Sequence, residues 1–175
     1  KAGGECVLTC EINEAALLTY KANFNPKSHH IYFNDILSLE SKLIPKHNIL
    51  VAGFPCQPYS IAGLRKGLKD ERGGDVFLAI LRILKDKKPD SFLLENVKGM
   101  LNHDNGQTFK FMIDSLSDCG YTVQYKVLNS MTHANVPQKG GKARGLRRKS
   151  RRVSLVAARR IWFQVRQNQR DSAQS

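Results

Sequence analysis

The 175-residue chain lacks the features that mark several protein classes. Its four cysteines, Cys6, Cys10, Cys56 and Cys119, form no Cys-x-x-Cys pair and no cluster with histidine. That pattern argues against a disulfide framework and against a zinc site, and no metal is expected. No run approaches the roughly 20 apolar residues that span a bilayer, so no membrane association is expected. No leader opens the chain, because Lys1 runs into a short polar-flanked segment; a reduced, cytoplasmic location follows as an expectation. Acidic residues are scarce in one place only. Residues 139–175 hold 12 Lys and Arg against 1 acid, whereas residues 1–138 hold 16 against 14. The formal net charge of +13 therefore belongs almost wholly to the last 37 residues, and the body is close to neutral.

The body alternates short apolar strands with helical patterns. Strands are expected at Cys6–Cys10, His30–Phe33, Asn48–Gly53, Ser91–Leu94 and Tyr121–Leu128. Helices are expected over Asn13–Phe24, Asp75–Lys85 and Thr108–Cys119, with Gly120 placed to end the last. Strands separated by helices imply a parallel sheet in an α/β fold, whose ligands sit at the carboxyl ends of the strands. The alternation stops at Gln138, and the division expected is a domain over 1–138 followed by a basic tail over 139–175. Within that tail Val153–Ala157 has the composition of one more strand.

Two segments carry chemistry. Gly53-Phe54-Pro55-Cys56-Gln57-Pro58-Tyr59-Ser60 follows directly on a strand, so Cys56 sits on a constrained turn between two prolines. Such a strand exit is where α/β folds place reactive groups; the competing reading is an inert, buried thiol. Leu93-Leu94-Glu95-Asn96-Val97-Lys98-Gly99 repeats the arrangement, an apolar strand delivering a carboxylate and then an amide into a loop. Glu95 there suits proton donation, or is a plain helix N-terminal or surface acid. Glu11-Ile12 and Asn34-Asp35-Ile36 each follow a strand. An acid at the first can take a ribose hydroxyl pair; otherwise Asn13 or Asp35 caps the next helix.

Phe-Pro-Cys-Gln followed some forty residues later by Glu-Asn-Val resembles the motifs of the cytosine-5 methyltransferases, of the bacterial restriction-modification type. Gly67-Leu68-Lys69-Asp70-Glu71-Arg72-Gly73 looks like that family's loop between them, and Ala134-Asn135-Val136-Pro137-Gln138 like the start of a later motif. The resemblance runs from about Gly3 to Gln138. It implies a Rossmann-like S-adenosylmethionine-dependent methyltransferase fold, incomplete at both ends, that acts on double-stranded DNA with a flipped cytosine as a monomer. It implies Cys56 as nucleophile and Glu95 as acid. It implies Glu11, Ile12, Asp35, Ile36, Phe54 and Pro55 as contacts to S-adenosylmethionine, and Gln57, Ser60, Asn96, Val97 and Gln138 as contacts to substrate.

The sequence departs from the family's pattern in places. The Gly-rich cofactor loop is expected upstream of Gly3, and the target-recognition domain and the closing cofactor segment have no counterpart in residues 139–175. Gln138 is followed by Lys139-Gly140-Gly141 where the family has Gln-x-Arg-x-Arg. Lys139-Gly140-Gly141-Lys142-Ala143 can be encoded so that reading one base later gives Arg-Glu-Glu-Arg. A frameshift, an insertion rejoining at Arg151-Arg152-Val153 and a natural basic tail all remain open. Two other functions compete: a tRNA cytosine-5 methyltransferase, and a non-catalytic fragment whose tail binds nucleic acid in a salt-sensitive, sequence-independent way. His103-Asp104-Asn105-Gly106-Gln107-Thr108-Phe109 looks more like the bacterial DNA modification enzymes. The expectation is that these 175 residues are inactive by themselves.

Overall fold

The computed structural model describes residues 3–24, 29–54, 72–129 and 151–159, with the backbone alone for 72–75, 129, 151–153 and 156–159. Strand β1 (Leu8–Cys10) passes through helix α1 (Glu14–Asn23) to β2 (Ile31–Phe33). The helical crossover lets the two strands pair in parallel, from Leu8 on Ile31 to Cys10 on Phe33. Asn13 caps α1, its side chain accepting the Ala16 N–H at 2.9 Å. A second pair repeats the plan: β3 (Ile49–Gly53), α2 (Arg72–Lys87) and β4 (Ser91–Val97), again parallel. Helix α3 (Gln107–Asp118) follows a 3-10 stretch over Lys98–Gly106 and leads to β5 (Tyr121–Asn129). Gly120 ends α3 as expected, at φ +88, a backbone state that side chains resist.

The strand expected at Val153–Ala157 is present as β6 (Arg151–Arg159). It lies between β4 and β5, antiparallel to both, giving the order β3-β4-β6-β5. The sheet is therefore mixed rather than all parallel. The register runs from Ser91 on Ala158 to Val97 on Arg152 for β4, and from Tyr121 on Arg159 to Asn129 on Arg151 for β5. A central strand thus lies inside the segment read as a basic tail.

Strand β4 also runs three residues further than expected. Glu95, Asn96 and Val97 do not enter a loop; they pair with Ser154, Val153 and Arg152 of β6. The added partner strand continues the ladder after β3 has ended.

One face of this sheet carries the core. Phe92 and Leu94 of β4, Leu155 of β6 and Tyr121 of β5 are buried against α2 and α3. Helix α2 contributes Phe77, Ile80, Leu81 and Leu84, the i, i+3, i+4, i+7 set of one helical face. Helix α3 contributes Met112 and Leu116. The opposite face is more open, with Val51 70 % and Ile49 60 % exposed on β3. A smaller cluster of Leu39, Ile44 and Ile83 touches Leu8, Cys10 and Phe33 of the two-stranded sheet and Leu50 of β3, so it connects the two sheets. The Arg82 guanidinium strengthens that junction, donating to the carbonyls of Leu39 at 2.7 Å and Ile36 at 3.2 Å.

Candidate active site

The carboxyl ends of β3 and β4 meet, as α/β folds require of a site. The last register pair is Gly53 with Glu95. Both therefore face the same side, and a Cβ added at Gly53 would sit 3.4 Å from Glu95 Oε2. Glycine at 53 leaves the approach to this half-buried carboxylate open. Neighbouring strand residues point to opposite faces. Asn96 accordingly turns into the core and is 1 % exposed, while Val97 lies on the Glu95 side.

Beyond Gly53 the chain is held from two directions. The Phe54 ring is buried, 5.8 Å from the ring of Phe77 on α2. Its carbonyl accepts a hydrogen bond from Asn96 Nδ2 at 3.1 Å. The ring thus packs within the core. Pro55, Cys56, Gln57, Ser60 and Gln138 lie outside the described residues. In sequence Cys56 follows Phe54 by two residues.

The other four expected residues gather at the end of the two-stranded sheet. Glu11 directly follows β1, and its N–H donates to the Phe33 carbonyl at 3.0 Å. Its Oε1 accepts the Asn13 N–H at 2.8 Å. Asp35 lies two residues beyond β2, and its Oδ1 accepts the Leu37 N–H at 3.0 Å. The Cys10 thiol reports both acids: burial pushes its pKa up, and the Asp35 and Glu11 charges push it the same way. The capping alternative holds for Asn13, which caps α1, whereas Asp35 closes a turn. Ile12 is 61 % exposed beside Glu11, and Ile36 packs against both core clusters.

Sequence reasoning assigned Asn96 to substrate and missed its bond to Phe54. A periodicity signal existed: with Glu95 facing outward, strand alternation sends its neighbour inward. Among the described residues no group of three or more His, Cys, Asp or Glu is arranged to hold a metal, and no helix is long and apolar enough to cross a membrane.

This architecture is that of a methyltransferase domain. A Spodoptera frugiperda DNMT2 structure superposes with a TM-score of 0.66 at 27% identity, over 91% of this chain and 44% of that one. A Schizosaccharomyces pombe Dnmt2 structure shares the fold with a TM-score of 0.63 over 90% of this chain and 44% of its own. The C-5 cytosine-specific DNA methylase family model matches residues 1–159, and the chain belongs to that family. Its matched span includes β6. Type II methyltransferase M.HaeII of Haemophilus aegyptius is 48% identical over 137 residues, 78% of this chain and 41% of the relative. M.MspI of Moraxella sp is 44% identical over 137 residues, 78% of this chain and 32% of the relative. The chain thus spans less than half the length of these curated relatives.

Proposed function

We propose that this chain is the central part of the catalytic domain of an enzyme that methylates C5 of cytosine in DNA, with S-adenosylmethionine as cofactor. The observation that carries the reading is the pairing of Gly53 with Glu95, which joins the exits of the two motif-bearing strands. The Cys56 thiolate adds to C6 of the base, and the C5–C6 electron pair moves into the ring. The Glu95 carboxyl donates its proton to N3 and so makes C5 nucleophilic. Bound S-adenosylmethionine supplies the electrophilic methyl group. Loss of the C5 proton to a base then restores the double bond and expels the Cys56 thiolate, and N3 returns its proton to Glu95. A base inside a duplex cannot reach these groups, so the cytosine is flipped out, at a cost of a few kcal/mol.

Glu11 and Asp35 fit the cofactor's polar end. Both are carboxylates at the carboxyl end of parallel strands. A carboxylate has about four lone-pair sites, so one backbone bond each leaves room for ribose hydroxyls or an adenine amine. The buried ring of Phe54 makes it a support of the Cys56 turn in this reading, and not a side-chain contact to cofactor.

The test uses the full-length protein that contains this chain and DNA bearing 5-fluorocytosine. Fluorine cannot leave as the C5 proton does, so a covalent adduct accumulates. Cys56→Ser should abolish it, and Glu95→Gln should slow methyl transfer roughly 10²–10⁴-fold, the range of acid–base catalysis. An adduct that survives Cys56→Ser removes Cys56 from the mechanism. Transfer to tRNA alone moves the substrate to RNA.

A further inference from the structure

We infer that Asn96 is a positioning residue for the nucleophile and makes no contact with the base. This rests on the cytosine-5 reading and deepens it. Asn96 is 1 % exposed, and both ends of its amide have partners. Its Oδ1 accepts the Val97 N–H at 2.8 Å, and its Nδ2 donates to the Phe54 carbonyl at 3.1 Å.

The place of that bond gives it its consequence. The β3–β4 ladder ends at Gly53 and Glu95, so Phe54 is the first residue that the ladder does not hold. There the Asn96 side chain takes over from the backbone. The Phe54 carbonyl belongs to the Phe54–Pro55 peptide, which is planar, so fixing its oxygen fixes the whole plane. Cys56 follows that peptide by one residue in sequence, and the residue between them is proline, the residue type with the least freedom in φ. The Phe54 ring is itself held against Phe77. Asn96 and Glu95 are adjacent on one strand and face opposite ways. A single strand end thereby sets the nucleophile with one side chain and presents the acid with the other.

Asn96→Asp separates positioning from bulk and from binding. Ionised aspartate still accepts from Val97 but repels the Phe54 carbonyl. Protonated, it regains one O–H donor for the Phe54 carbonyl. At pH 8 adduct formation with 5-fluorocytosine DNA should fall roughly 10²-fold in Asn96→Asp, the cost of a misplacement of about 1 Å. The KM for S-adenosylmethionine and the Kd for DNA should change less than about 3-fold, a shift too small to account for the rate loss. The rate is taken relative to Asn96→Ala at each pH. That ratio should rise as pH falls from 8 to 6. The second readout needs no activity: the carbon-13 shift of the Phe54 carbonyl should move in Asn96→Ala and return toward wild type in Asn96→Asp at low pH. Should Asn96→Asp unfold at pH 8, the same shift in Asn96→Ser decides. A flat ratio, an unmoved carbonyl shift, or DNA affinity lost in step with rate each overturns the positioning role. Absence of any adduct in wild type, or its persistence in Cys56→Ser, defeats the cytosine-5 reading instead, and the carbonyl shift still judges Asn96.

Discussion

The two sheets of this molecule are held by different forces. The four-stranded sheet rests on burial: Phe77, Leu84, Phe92, Leu94, Met112, Leu116 and Leu155 lose nearly all their contact with solvent. The two-stranded sheet has almost none of this. Helix α1 buries no residue, with Leu18 60 % and Phe24 58 % exposed. Polar and ring contacts hold it together. His30 bonds the Cys6 carbonyl at 2.8 Å and the Thr9 hydroxyl at 3.0 Å. Tyr20 lies 4.8 Å from Phe24, and Lys21 sits 4.5 Å over the Tyr32 ring. A two-stranded unit is marginal without packing partners. The half proposed to carry the covalent chemistry is thus rigid on its own core, while the half proposed to hold the cofactor's polar end leans on the junction at Leu39, Ile44 and Ile83.

The sharpest way to break the contrast is a matched pair of truncations. Leu94→Ala empties the middle of β4 and should cost about 2–5 kcal/mol, the range for buried leucines. Leu18→Ala on α1 should change stability by no more than about 0.5 kcal/mol, as exposed positions do. Denaturant unfolding of the full-length protein measures both. A loss at Leu18 comparable to that at Leu94 would mean that α1 is packed against chain beyond the described residues, and the contrast would then belong to these residues and not to the protein.

A smaller effect sharpens it. His30→Ala removes two hydrogen bonds from the two-stranded sheet and should cost about 1–2 kcal/mol locally. Amide exchange should quicken in Leu8–Cys10 and Ile31–Phe33 and stay unchanged in Ser91–Val97. Exchange that quickens equally in both sheets would show them to open as one unit.

The smallest effect compares two thiols. Burial raises the pKa of both Cys10 and Cys119. At Cys10 the neighbouring Asp35 and Glu11 charges add to the rise, whereas at Cys119 the Lys85 ammonium opposes it. Asp35→Asn should therefore speed alkylation of Cys10 at pH 8, and Lys85→Gln should slow that of Cys119, each by a few-fold at partly exposed sites. The sign follows because thiolate is the reactive form and a raised pKa leaves less of it. Mass-spectrometric mapping of iodoacetamide adducts reads both, and equal rates in wild type and Asp35→Asn would remove the acid cluster around Cys10.

The sequence alone determined most of the element order, and with it the positions of Glu11 and Asp35 just beyond strand ends. Apolar runs of four to eight residues and helical periodicity are local properties, written in adjacent residues, as Phe77-Ile80-Leu81-Leu84 illustrates. The Asn13 cap and the Gly120 stop are local too. What the tertiary structure decided is non-local. The true end of β4 at Val97 depended on its pairing with Arg152 of β6, far along the chain and hidden among arginines, whose backbone pairing no periodicity records. The position of β6 between β4 and β5, which makes the sheet mixed, was fixed by pairing in space. The Asn96 side chain had its partner decided in the same way. Its residue type offers a donor and an acceptor to any partner, and only the packing of β3 beside β4 brought the Phe54 carbonyl to it.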